Sequence, residues 1–133
     1  GGLNIRTALM GEQKIIEHAD PAGAAPRRCY AQIAGVPTGG KAPAAVAILQ
    51  HAGNPRYPGD WVKFPNLGWL QPTFPASGEK FPLVKDKPLV LRYRLWVQAG
   101  TGADEASLAK AWDEYNKSAG AAAPAPAAGK DQP

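Results

Sequence analysis

With 133 residues the chain has room for one ordinary domain and not for two. Its 44% hydrophobic content is globular, but alanine carries much of that total and the large aliphatics crowd into a few short runs, so a thin core is expected. A net charge of +4 is spread over fifteen scattered Lys and Arg, with no basic stripe to exploit phosphates, and the longest uncharged apolar run, Ala42–Leu49, is far too short to span a bilayer; nucleic-acid binding and a membrane span are therefore excluded from the expectation.

The 15 Gly and 14 Pro punctuate the chain into short segments that suit strands. The opening "GGLNIR" reads as the interior of a longer protein. "GLNIRTALM" and "EQKIIEH" are two strands separated by Gly11. In the "EHAD" that follows, strand alternation sends Glu17 and His18 to opposite faces, so no metal shared with Asp20 is expected, and no cofactor is implied. "RRCYAQIAG" is a third strand. The lone Cys29 permits no internal disulfide, and its alternation with Ala31 and Ile33 makes it a small core residue. "PTGGK" at 37–41 has neither the glycine spacing nor the following hydroxyl of a phosphate loop and reads as a hairpin turn.

"AAVAILQHA" is apolar and β-branched enough for an inner strand, and His51, two positions beyond Leu49, shares its face. The loop that leaves it, "HAGNPRYPGDW", brings His51, Asn54, Arg56, Tyr57 and Trp61 together around two prolines. Amide, guanidinium, hydroxyl and flat apolar surfaces suit sugar hydroxyls and C–H faces. The same residues also suit a braced turn, with Asn54-Pro55 and Tyr57-Pro58 as turn initiators and Arg56 held by a carbonyl or carboxylate. His51 is the candidate catalytic residue of the first reading. No Glu or Asp can be paired with it from sequence.

"WVKF" and "WLQPTF" are short extended pieces, confined to edges by the prolines at 65, 72 and 75, with Trp69 and Phe74 as cover for a sheet edge. In "LVLRYRLWVQ", Leu89, Leu91, Tyr93, Leu95 and Val97 form the face expected in the core, and Val90, Arg92, Arg94, Trp96 and Gln98 the wetter one. Trp96 is there either a sugar platform or a residue packed beneath the C-terminal helix or a missing half. That helix lies in "DEASLAKAWDEYNKS", with Asp104 as N-cap, Glu105 in the first turn and Leu108, Ala111, Trp112 and Tyr115 on one stripe. The remainder, "AGAAAPAPAAGKDQP", offers no apolar anchor and is expected to be a disordered Ala/Pro/Gly tail over 119–133. Residues 1–118 thus read as a mainly β domain, an antiparallel β-sandwich closed by one C-terminal α-helix.

Four stretches, "GGLNIR", "AILQHAGNPRYPGDWVKF", "LVLRYRLWVQAG" and "LAKAW", stand in the order and at about the spacing of a bacterial domain family labelled methane oxygenase PmoA-like, which the chain resembles along 1–118. The specific match is His51, Asn54, Pro55, Arg56, Tyr57, Pro58 and Trp61. Gln50 replaces the usual Asp, Ala52-Gly53 replaces Pro-Ser, and Val62 stands where a His often follows the Trp. The resemblance implies the C-terminal half of a longer protein, packed against a missing N-terminal half, within a galactose-mutarotase-like supersandwich. It also implies carbohydrate binding or processing through the His-x-x-Asn-Pro-Arg loop, with a saccharide ligand on His51, Asn54, Arg56, Tyr57 and Trp61. The alternative is a non-catalytic structural β-sandwich module. An oxygenase ranks last, because two His in the whole chain make a poor metal-oxygenase ligand set. Compartment is not legible in the sequence.

Overall fold

The computed structural model describes residues 5–6, 9–19, 28–37, 39–64 and 67–119; most of the tail expected over 119–133 lies outside them. The elements run β1 (Ile5–Arg6), β2 (Leu9–Ala19), β3 (Arg28–Pro37), β4 (Ala44–Gln50), β5 (Asp60–Phe64), β6 (Trp69–Thr73), β7 (Tyr93–Ala99) and α1 (Glu105–Ala119). Two antiparallel sheets form, one ordered β2-β3-β4-β7 and the other β1-β6-β5. The protein is mainly β, with one C-terminal helix.

Alternation along β4 makes it the centre of the structure. Ile48 points toward the three-stranded sheet and is buried with Ala31 and Ile33 of β3, Trp61 of β5 and Leu70 of β6. Ala47 and Leu49 point the other way and are buried with Leu108, Trp112 and Tyr115 of α1. The four-stranded sheet is therefore a middle layer, covered by the small sheet on one face and by the helix on the other. A short β-branched and aliphatic run suits such a position because both its faces leave water.

The helix begins as expected: the Asp104 carboxylate accepts from Ser107 N–H at 2.8 Å and its carbonyl accepts from Leu108 N–H at 3.0 Å. Its Leu108, Trp112 and Tyr115 stripe is buried. Trp112 does more than pack, since its buried indole N–H donates to the Gln50 carbonyl at 2.8 Å, satisfying a strand-end acceptor that has left the ladder.

Four expectations change. Gly11 does not separate a pair of strands; β2 runs through it, and a register shift against β3 between Met10 and Lys14 absorbs the irregularity. Cys29 is buried, but with the helix-side cluster rather than with Ala31 and Ile33, because β3 carries an extra residue where its pairing jumps from His18–Tyr30 to Ala19–Arg28. Pro72 sits in β6, the middle strand of its sheet, where it is paired with Trp61 of β5 rather than lying on an edge; among the described residues β1 pairs with Trp69 and Leu70.

The fourth change concerns β7. Pairing begins at Tyr93 rather than Leu89, and on β7 it is Trp96 that packs against the helix-side cluster, while Leu95 and Val97 are 48% and 74% exposed. β7 is the edge of its sheet, the helix covers its Trp96 face, and the small sheet leaves the Leu95 and Val97 side open. Periodicity identified the two faces: Trp96 packs beneath the helix, one of the places expected for it, and of the face expected in the core Tyr93 packs on the inter-sheet cluster while Leu95 and Val97 stay exposed.

Trp112→Ala should lower unfolding free energy by about 3–5 kcal/mol, since it opens a cavity and removes the indole N–H donated to the Gln50 carbonyl. Chemical denaturation of the variant against the parent chain measures this; a cost under about 1 kcal/mol would mean that the helix is not anchored through this indole.

Candidate functional site

The loop from His51 to Trp61 leaves β4 above the helix-side cluster and crosses to β5. Two turns shape it: Asn54 N–H donates to the His51 carbonyl at 3.0 Å and Tyr57 N–H to the Asn54 carbonyl at 3.1 Å. Arg56 takes a left-handed backbone conformation at φ 55° and Tyr57-Pro58 is cis.

Two carboxamides hold the loop. The Asn54 side chain, 7% exposed, donates from Nδ2 to the Arg92 carbonyl at 2.8 Å and accepts at Oδ1 from Arg92 N–H at 2.7 Å. Together with the His51 N–H donated to that carbonyl at 3.2 Å, it replaces the ladder that β4 and β7 stop making beyond Gln50 and Tyr93. Gln50, 1% exposed, does the same to Gly59, accepting its N–H at 3.0 Å and donating to its carbonyl at 3.2 Å. A Cβ at position 59 would lie 2.8 Å from Gln50 Oε1 and 3.1 Å from the Thr73 carbonyl, so this grip needs glycine. From the helix, Asn116 accepts the Ala52 N–H at 2.7 Å and donates to the Trp112 carbonyl at 2.9 Å.

His51 sits inside this frame. Its Nδ1 accepts from Gly53 N–H at 2.9 Å, which places the proton of the neutral ring on Nε2. Nε2 is buried, without a hydrogen-bond partner among the described residues, and the ring stands edge-on to Tyr115 with centroids 5.3 Å apart. The imidazole thus has no lone pair free to take a substrate proton. Burial first, and the Arg92 charge second, hold its pKa below the ordinary 6.5. At position 53 a Cβ would meet the same ring at 3.0 Å.

The five residues singled out in the sequence do not share one cleft. Tyr57 stacks on Trp112 with ring centroids 6.3 Å apart, next to the helix. Arg56 points away from His51, pairing with Glu79 at 2.7 Å and lying 5.3 Å above the Phe81 ring. Trp61 is 5% exposed in the core between the sheets, where no ligand at the loop can reach it. His51 and Leu49 do lie on the same side of β4, as alternation required. Of the "EHAD" set, Glu17 and His18 lie in β2 and Asp20 lies outside the described residues; no group of His, Cys, Asp and Glu suited to a metal occurs among the described residues.

What sequence reading did not single out is Gln50, Arg92 and Asn116, which complete the frame. The Gln50 amide at the end of β4 supplies the donor that the Gly59 carbonyl accepts. Arg92 contributes its backbone, and no side-chain pattern signals that.

The fold and this frame define an antiparallel β-sandwich domain with a helix-clamped loop between its sheets. A model of a family of unknown function, DUF6807, matches residues 8–113, and the chain belongs to that family. No curated protein and no solved structure matches it.

Two results are expected. Asn54→Ala should cost about 1–3 kcal/mol, because it removes the acceptor of the part-buried Arg92 N–H and leaves the Arg92 carbonyl with only the His51 N–H; denaturant titration reads this. The second concerns pH. An unfolded chain protonates His51 at about its ordinary 6.5, whereas the folded ring resists until a lower pH. Acidification through that window therefore favours the unfolded chain, and stability should fall as pH drops below about 6.5, by less in His51→Gln than in the parent. Melting curves across that range with identical slopes for both proteins would contradict it.

Proposed function

We propose that this chain is a non-catalytic β-sandwich interaction module, in which the His51–Trp61 loop holds neighbouring segments in place and further polypeptide packs on the exposed β7 edge. The observation that carries this reading is how the loop's polar groups are spent. Asn54 uses both amide atoms on Arg92, His51 uses Nδ1 on Gly53, and Arg56 is paired with Glu79. A saccharide-processing loop would need these groups free to meet hydroxyls.

The loop also holds something in place. Residues 79–92 form an excursion folded on itself by a Val84–Lys87 bridge, with Asp86 in a left-handed turn at φ 63°. Arg56 grips its first stem at Glu79 and Phe81, and Asn54 grips its last residue, Arg92. Between the stems stand Leu83 and Val84, 77% and 54% exposed, and Leu89 and Val90, also exposed. Leu95 and Val97 on β7 add further exposed apolar surface. A second half of a longer sandwich is the occupant this reading assigns to it.

Because the Arg56–Glu79 pair is solvent-exposed, Arg56→Ala should cost no more than about 1 kcal/mol. The decisive comparison is Val97→Lys with the parent chain by light scattering and thermal melting. The parent should self-associate and the variant should be monomeric with an unchanged melting temperature, since Val97 contributes little packing. A parent chain that stays monomeric at high concentration, or a His51→Ala variant that stays folded while losing a saccharide response of the parent, would contradict the reading.

A further inference from the structure

Beyond the bracing loop, one cleft carries polar groups that the frame does not use. It is an open cavity of about 440 Å³ between β7 and α1, floored by Leu49 and Ala111. Arg94 and Trp96 form the strand wall, and Ser107, Lys110 and Glu114 the helix wall. Positions 107, 110, 111 and 114 fall on one stripe of the helix, so all of its contributions face the cleft together. Strand alternation places Arg94 and Trp96 on the same side of β7 for the same reason.

The chemistry of this lining is selective. Trp96 is half-buried and fixed by packing on the helix-side cluster. Arg94 is held with its guanidinium 4.5 Å above the Tyr115 ring and its Nη2 donating to Ser118 Oγ at 3.4 Å, so it is oriented before any ligand arrives. Lys110 and Glu114 make no ion pair among the described residues. Two cations against one carboxylate leave the cleft net positive, and arginine is suited to a planar carboxylate. An indole beside hydrogen-bonding groups suits a ring with alternating C–H and hydroxyl surfaces.

We propose that this cleft binds a monosaccharide bearing a carboxylate, a sugar of the uronic acid class. Arg94 and Lys110 take its carboxylate, Trp96 takes a C–H face, and Glu114 and Ser107 take hydroxyls. A bare inorganic anion would leave the indole and the Leu49 and Ala111 floor without a partner. A neutral sugar would leave the excess positive charge unanswered. The site is separate from the His51–Trp61 loop and requires no bond to form or break.

The test uses the full chain labelled with nitrogen-15, with glucuronate as probe and glucose as neutral control, following backbone amides of β7 and α1 and the indole N–H signals. Glucuronate should shift the Trp96 indole and the amides around Lys110 saturably, and glucose should bind about tenfold more weakly. Lys110→Ala, an exposed substitution that leaves the fold intact, should weaken glucuronate about fivefold or more and leave the melting temperature unchanged. Equal response to the two sugars, no saturable shift with glucuronate, or shifts centred on residues 51–61 would each overturn the proposal.

Discussion

The structure depends most on one buried carboxamide. Beyond Gln50 and Tyr93 the β4–β7 ladder ends, and the two chains diverge into long irregular segments whose backbone groups still need partners. Asn54 meets that need by offering one donor and one acceptor to Arg92 in the spacing a strand would offer. The loop is thereby closed at its middle, the excursion over 79–92 is tied at its end, and His51 is fixed where its Nδ1 can only receive Gly53. Gln50 repeats the device one turn away on Gly59. Each amide is buried, so each bond replaces water that could not otherwise be present, and losing either side costs more than making the bond gains.

This arrangement shows how a loop rich in functional side chains spends their polar groups on the protein itself. A histidine near an arginine, an asparagine and a tyrosine resembles a reactive constellation in one dimension. In three dimensions the arginine leaves for Glu79, the tyrosine stacks on Trp112, and Trp61 enters the core between the sheets. The groups left facing open space are elsewhere, along β7 and one stripe of the helix. The bracing loop and the open cleft are adjacent regions that share the helix, whose Trp112 and Asn116 serve the loop and whose Lys110 and Glu114 line the cleft.

Much of the fold was legible in the sequence because it rests on local signals. Asp104 followed by a Leu108, Trp112 and Tyr115 stripe specifies a capped helix, and the apolar run ending at Gln50 specifies an inner strand. What was not legible depends on the layer each face meets. Alternation in β7 separates Tyr93, Leu95 and Val97 from Arg94 and Trp96, but the extent of the three-stranded sheet decides how much of the first set is covered, and no residue of β7 encodes that. Pro72 misled similarly, since a proline's tolerance depends on which neighbouring strand needs its N–H, and its own segment does not encode that. In the loop, residue types were read correctly and partners were not, because Asn54 bonds a backbone 38 residues away and backbone carries no sequence signature.

The central claim is that Asn54 couples the loop to the 79–92 excursion, and amide hydrogen exchange on Asn54→Ala tests it most directly. The account predicts that protection falls together at Tyr57, Gly59, Lys87 and Arg92, while amides of β3, β4 and α1 keep theirs relative to the lowered global stability. Loss of protection confined to the loop, or spread uniformly over every element, would contradict the claim that this amide joins the two segments.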